Sequence, residues 1–104
     1  MIVEQRDYHV FTGKLGEVVR MYETEGIALQ SRHLGRLVAA FTTDVGALST
    51  YTSMWAYDSY ADREERRASL QRDEEWVSFL ARLQPLLHTQ QNRILVPTSF
   101  SPLS

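Results

Sequence analysis

Residues 51–57 of the chain read Tyr51-Thr52-Ser53-Met54-Trp55-Ala56-Tyr57. Side chains alternate along an extended strand. Tyr51, Ser53, Trp55 and Tyr57 therefore share one face, and Leu48, Thr50, Thr52, Met54 and Ala56 share the other. A Trp and two Tyr in a row offer flat surfaces with polar tips, suited to an aromatic or planar ligand. The same row could equally fill the interior between two copies of the chain, and residue types alone leave both readings open. His33 falls where a helix gives way to a strand. An imidazole there can carry a proton, although a structural role at a helix end is the commoner one. Arg63 and Arg67 lie four apart and so share a helix face. An arginine turned toward a sheet could bind a carboxylate or phosphate bidentately. Asp62 and Arg66 form an i, i+4 pair of the kind that contributes about 0.2–0.5 kcal/mol on a solvated helix.

These residues define a candidate site. His33 and Tyr57 are the candidate catalytic groups, Trp55 and Tyr57 the pocket wall, and Arg6 or Arg63 the anchor for an anion. The chemistry they could support is orientation of, and proton transfer to or from, a small, partly aromatic, anionic molecule. The competing reading is a non-catalytic interaction or scaffolding module. Other chemistries are disfavoured. His9, His33 and His88 show no metal-ligand spacing and have no HExxH or carboxylate cluster beside them, so neither a metal nor a cofactor is expected. The GxSxG and glycine-rich phosphate-loop patterns are missing. Cysteine is absent, which removes thiolate sites and disulfides.

A chain of 104 residues fits one domain, 1–104. At this size folding buries only about 60–70% of the extended surface, so added burial would help. Hydrophobic residues at 43% and charged ones at 23% place it among globular chains rather than disordered ones. The net charge of −2 leaves no basic excess for a nucleic acid. The longest wholly apolar run, Leu37 to Phe41, is far too short to span a membrane. Met1 to Arg6 puts an acid where a signal peptide needs a basic and then apolar run, so the expected location is cytoplasmic.

The elements that must position these residues follow from periodicity. Residues 2–11 alternate as a first strand ending at Thr12-Gly13. Leu15, Val18, Val19 and Tyr22 mark an amphipathic helix from Lys14 to about Gln30, with Gly26 a weak point. A second strand is expected over 36–45 and a third over 48–57, joined at Val45-Gly46-Ala47 as a hairpin. Ser59 and Asp62 have the form of a capping box for a helix from Asp62 to about Arg72. Asp73 reads as a second N-cap, and Trp76, Phe79, Leu80 and Leu83 continue at helical spacing. Pro85 should end that helix near Leu83. The last strand is expected over 92–97.

The order is β-α-β-β-α-β, a ferredoxin-like α+β fold with two helices on one face of a four-stranded antiparallel sheet. The second and fourth strands, with Leu37-Val38-Ala39-Ala40-Phe41 and Ile94-Leu95-Val96, read as apolar on both faces. A face exposed to water should alternate. The simplest cover for the open face is a second copy, giving a homodimer or a higher oligomer of dimers.

Trp55-Ala56-Tyr57-Asp58-Ser59-Tyr60-Ala61-Asp62-Arg63, then Arg66-Arg67 and Asp73-Glu74-Glu75-Trp76, resembles the NIPSNAP signature. Arg6-Asp7-Tyr8, Gly13, Phe41-Thr42-Thr43-Asp44-Val45-Gly46 and Arg93-Ile94-Leu95 agree with it in order along nearly the whole chain. The resemblance implies a dimeric α+β barrel, in which two ferredoxin-like sheets face each other around a cavity. Its superfamily includes cofactor-independent monooxygenases and heme-degrading enzymes, so the resemblance implies cofactor-independent oxygenation or isomerisation at the candidate site, but no histidine of the second helix is placed to ligate heme. Animal members of the family are linked to mitochondria and to vesicle or mitophagy-related scaffolding. Family members often keep a histidine near position 33. Joined to the residues above, the resemblance gives Arg6, Tyr8, Trp55, Tyr57 and Arg63 as the expected ligand-binding set, facing the barrel cavity. Fold alone transfers function only by analogy.

Overall fold

The opening alternation forms β1, Ile2–Val10, in a computed structural model that describes residues 1–103. Ile2, Glu4, Arg6, Tyr8 and Val10 are all buried, whereas Gln5, Asp7 and His9 are half-buried on the other face. β2 (Arg36–Thr42), β3 (Thr50–Tyr57) and β4 (Leu87–Leu95) complete one antiparallel sheet in the order β2-β3-β1-β4. The register sets Ile2 opposite Tyr57, Glu4 opposite Trp55, Arg6 opposite Ser53 and Tyr8 opposite Tyr51. Directly paired residues point to the same face, so the β3 aromatic row and the even-numbered β1 residues form one continuous surface.

The helices cover that surface. α1 (Leu15–Met21), a π-helical turn (Tyr22–Gly26) and α2 (Ile27–Leu34) form one unbroken rod. It runs four residues past the expected end because Gly26 interrupts nothing. Gly26 is buried in the π-turn, where a Cβ would lie 2.7 Å from Phe79 Cζ and 2.7 Å from Tyr22 Cδ1. The glycine is there for close approach of helices. α3 (Tyr60–Gln71) begins at the Ser59 cap, whose Oγ accepts from the Asp62 N–H at 3.1 Å. The Asp62 carboxylate accepts in turn from the Asp58 N–H at 3.0 Å, one residue before the cap. α4 (Glu74–Leu83) begins at Asp73, which accepts from the Glu75 N–H at 2.9 Å, and ends before Pro85 in a short 3-10 turn. Its apolar face carries Trp76, Phe79 and Leu83, all buried, with the Trp76 and Phe79 rings 5.3 Å apart. α4 packs chiefly on α2, α3 and the π-turn.

Three boundaries differ from expectation. β2 stops at Thr42 and β3 starts at Thr50, because residues 43–49 form a longer connection with Gly46 and Ser49 at positive φ. Leu48 therefore lies in the loop. β4 begins at Leu87 rather than 92, since His88 to Arg93 is an exposed polar edge strand with no hydrophobic alternation to mark it. A register shift between Leu37 and Ala39 explains the continuous apolar run of β2: Leu37 pairs with Trp55 on the helix side, Val38 is the extra residue, and Ala39 pairs with Met54 on the open side.

The open face is less apolar than the strand sequences suggest. Phe41 (55% exposed) and Leu95 (38%) lie there with Met54, but Gln5, Asp7, His9 and Thr52 share it. Asp7 Oδ1 accepts from Thr52 Oγ1 at 2.7 Å, one rung of a polar ladder across β1 and β3.

Candidate functional site

The aromatic row of β3 faces its own helices, not a second sheet. Tyr51, Trp55 and Tyr57 are all buried there, and the Tyr22 ring from the π-turn stacks 4.6 Å from that of Tyr51. Tyr8 stacks on Tyr51 at 6.0 Å, so three tyrosines from β1, β3 and the helix rod close one end of the inner surface. Burial, then the neighbouring Tyr8, pushes the Tyr51 phenol up to about 12. Burial also raises Tyr22 well above its ordinary value. Both stay neutral near pH 7.

At the centre of the surface sits Glu4, fully buried. Its Oε2 accepts from Arg6 Nη1 at 2.9 Å and from Arg63 Nη2 at 2.7 Å, and Arg67 Nη1 approaches Oε1 to 4.0 Å. Arg6 Nε donates to the Tyr8 hydroxyl at 2.7 Å. Arg6 is itself buried, and the side chains of Arg63 and Arg67 keep 25% and 15% exposure. Burial works against ionisation of Glu4, but the Arg63 hydrogen bond and the charges of Arg6 and Arg67 outweigh it and hold its pKa below the ordinary value. Three guanidiniums thus surround one ionised carboxylate. The patch carries an excess of two positive charges, only partly relieved by the solvent that Arg63 and Arg67 reach.

Local sequence dictates the arrangement. Even-numbered β1 residues face inward, so a Glu and an Arg two apart are carried into the core together. The i, i+4 spacing on α3 brings Arg63 and Arg67 over them, as expected from the helix face they share. Asp62 and Arg66 pair at 2.8 Å on the neighbouring face.

Around the carboxylate, several buried polar atoms have no hydrogen-bond partner among the described residues: Glu4 Oε1, Ser53 Oγ, Trp55 Nε1, Tyr57 OH, Arg63 Nε and Arg67 Nη1. Folded proteins satisfy nearly all such groups, so orphans drawn from β1, β3 and α3 to one inner surface call for a reason. Burial raises the Tyr57 phenol, with Arg67 opposing, so Tyr57 presents a hydroxyl that can donate. At the end of the sheet Tyr57 also borders a cleft of about 210 Å³ with Leu34, Gly35, Arg36, Ala56 and Asp62.

Of the residues expected from sequence, Arg6, Tyr8, Trp55, Tyr57 and Arg63 all lie on the inner surface, between sheet and helices rather than between two sheets. His33 is elsewhere. Its Nδ1 meets Ser69 Oγ at 2.8 Å and its Nε2 meets Asp73 Oδ2 at 2.8 Å, so it ties α2 to α3 and to the cap of α4. Both ring nitrogens are engaged in the helix layer, away from the inner surface, and His33 there borders a separate cleft with Ser69, Asp62 and Arg66. Sequence reasoning misses Glu4 and reaches Arg67 only as a face-mate of Arg63. The available signal for Glu4 is its place between Ile2 and Tyr8 in a strictly alternating strand. No group of His, Asp or Glu residues that could hold a metal ion occurs among the described residues.

A four-stranded antiparallel sheet with its helices on one face is the ferredoxin-like α+β class. Within that class the chain belongs to the NIPSNAP family, whose model matches residues 3–102. The solved structure of a NIPSNAP family protein from Agrobacterium tumefaciens is 47% identical, with TM-score 0.97, over 99% of this chain and 98% of that one. Protein NipSnap of Drosophila melanogaster is 34% identical over 71 residues, 68% of this chain but only 26% of its own length. This chain therefore spans about a quarter of that relative. SnoaB, a cofactor-independent oxygenase from Streptomyces nogalater, has TM-score 0.66 over 97% of this chain and 96% of its own, at 12% identity, which is a likeness of fold alone. No helix among the described residues is long and apolar enough to cross a membrane.

Proposed function

We propose that this protein binds a small molecule on the inner surface between β1, β3 and α3. The observation that carries the reading is the convergence of unpartnered buried polar atoms on that surface. A fold gains nothing from leaving Trp55 Nε1, Tyr57 OH and Ser53 Oγ without partners, whereas a ligand that met them would recover the lost hydrogen bonds. Trp55 and Tyr57 supply flat walls, and Tyr57 also borders the cleft at the end of the sheet. The likeness to a cofactor-independent oxygenase extends to fold only, so the reading stops at binding. We further propose that a second copy covers the open sheet face, where Phe41 and Leu95 stay exposed although Val3 and Met54 line a cleft with the C-terminal residues Val96 to Leu103.

Tryptophan emission tests the binding reading. With Trp76→Phe as background, Trp55 is the single reporter and it lies on the proposed site. A library of small aromatic and aliphatic molecules should contain ligands that shift or quench its emission saturably. A library without any such ligand would overturn the binding reading in favour of a scaffolding module.

A further inference from the structure

Resting on that reading, we infer that the inner site takes a small oxyanion, a carboxylate or a phosphate, held by Arg63 and Arg67, and that Glu4 is the resident counter-ion sharing those arginines with it. Arg6 is already committed: Nη1 to Glu4 and Nε to the Tyr8 hydroxyl, both inside the core. The Asn92 amide oxygen, turned as its neighbours require, accepts from the same Arg6 Nη1 at 3.0 Å. Arg63 and Arg67 are committed only in part. Arg63 directs Nη2 to Glu4 and leaves Nε without a partner, and Arg67 Nη1 meets Glu4 Oε1 only as a 4.0 Å ion pair, with the Tyr57 hydroxyl its other polar neighbour.

A guanidinium presents its donors as a rigid fork that matches the two oxygens of a carboxylate or the edge of a phosphate. Two such forks on one helix face, with the Tyr57 hydroxyl and Trp55 N–H nearby as further unused donors, form a donor-rich cradle. Unused donors outnumber unused acceptors, which among these groups are Glu4 Oε1 and the Ser53 and Tyr57 hydroxyls. A neutral amide would leave the excess positive charge in place, whereas a carboxylate offsets one of the two charges and a doubly ionised phosphate both. Glu4 offsets part of that charge in the free protein, and its Oε1 remains available to a hydroxyl or other donor on the same ligand.

The experiment compares four probes by calorimetry on the full chain: benzoate, phenyl phosphate, inorganic phosphate and the neutral isostere benzamide. Benzoate or a phosphate probe should bind at least about tenfold more tightly than benzamide, as charge-assisted bonds to a guanidinium fork require. That advantage should shrink as salt rises. Arg67→Gln should remove most of the advantage of the anion over benzamide, and Glu4→Gln should tighten the anion. Preference for benzoate over inorganic phosphate assigns a carboxylate, and the reverse a phosphate. Equal binding of benzamide and benzoate would overturn the oxyanion assignment and leave a small-molecule site standing. Binding of none of the four, with other ligands found by tryptophan emission, would overturn it as well. Weaker anion binding by Glu4→Gln would overturn the counter-ion role. Should Glu4→Gln fail to fold, Arg67→Gln decides the assignment.

Discussion

Arg63 Nη2 donates to Glu4 Oε2 at 2.7 Å, a bond that joins α3 to the first strand across 59 positions of sequence. It is the contact by which the helix layer is charge-locked to the sheet. Arg63 and Arg67 reach it from one turn of helix, and Arg6 reaches it from the strand itself.

Removing that carboxylate should cost stability. Glu4→Gln leaves Arg6, Arg63 and Arg67 without their shared anion, and we expect a loss of about 2–3 kcal/mol, below the range for a fully buried pair because two of the arginines still touch solvent. The folded pKa of Glu4 lies below its ordinary value. Its stabilisation is therefore present above the unfolded glutamate pKa of about 4.3 and is lost as pH falls through the lower folded value. Urea unfolding from pH 7 to pH 2.5 should show a shallower acid limb for Glu4→Gln than for the native chain. Parallel limbs would mean that Glu4 does not hold its charge in the fold.

Gly26 should resist substitution. In Gly26→Ala the new methyl would lie 2.7 Å from Phe79 Cζ and from Tyr22 Cδ1, both rings being buried and unable to yield easily. Overpacking of this kind costs about 1–3 kcal/mol, and the better helix propensity of alanine offsets only about 1. Thermal unfolding should therefore show a net loss. A stabilised variant would show that the helix rod can shift away from α4.

Trp76 stacks on Phe79 inside the helix layer. Trp76→Ala should remove about 3–5 kcal/mol, a large share of the stability of a domain this size. A loss under about 1 kcal/mol in urea would show that the layer repacks around the space.

Much of this architecture was legible in the sequence, and the gaps have physical causes. Ser59, Asp73 and Pro85 announce helix limits through local hydrogen-bonding chemistry, and each acts at the expected place. The alternation of Tyr51, Ser53, Trp55 and Tyr57 shows that they share a face, but not which layer covers it, since periodicity is blind to what packs on a strand. The polar residues from His88 onward hide half of β4, because an edge strand pairs through backbone without needing an apolar face. Glu4 and Arg67 are hidden as site members for another reason. A charged residue reads as solvated until three-dimensional neighbours neutralise it, and the neighbours of Glu4 on α3 are remote in sequence. The position of His33 is hidden for the same reason: its neighbours Ser69 and Asp73 lie 36 and 40 positions away, and they hold it in the helix layer rather than on the inner surface.

The open face gives an assembly prediction. Light scattering at micromolar concentration should report about twice the 12.0 kDa chain mass or an even multiple. Phe41→Asp, placing a charge at an exposed apolar position of that face, should shift the population toward monomer. A folded native monomer would contradict the proposed second copy and leave the exposed Phe41 and Leu95 without a cover.

Tyr57 offers the most direct test of whether the unpartnered inner surface exists for a ligand. Tyr57→Phe removes one hydroxyl and nothing else. That hydroxyl is buried and has no hydrogen-bond partner among the described residues. Its loss should leave unfolding free energy within about 0.5 kcal/mol of the native chain or raise it, because at most a weak contact with Arg67 is given up and a desolvated polar group is removed. The affinity for benzoate or phenyl phosphate should fall by about tenfold or more, the scale of one lost hydrogen bond to a charged acceptor. The contradicting result is the reverse pattern: a loss of more than about 1 kcal/mol in stability with ligand affinity unchanged, which would make the hydroxyl a part of the fold and not of a site.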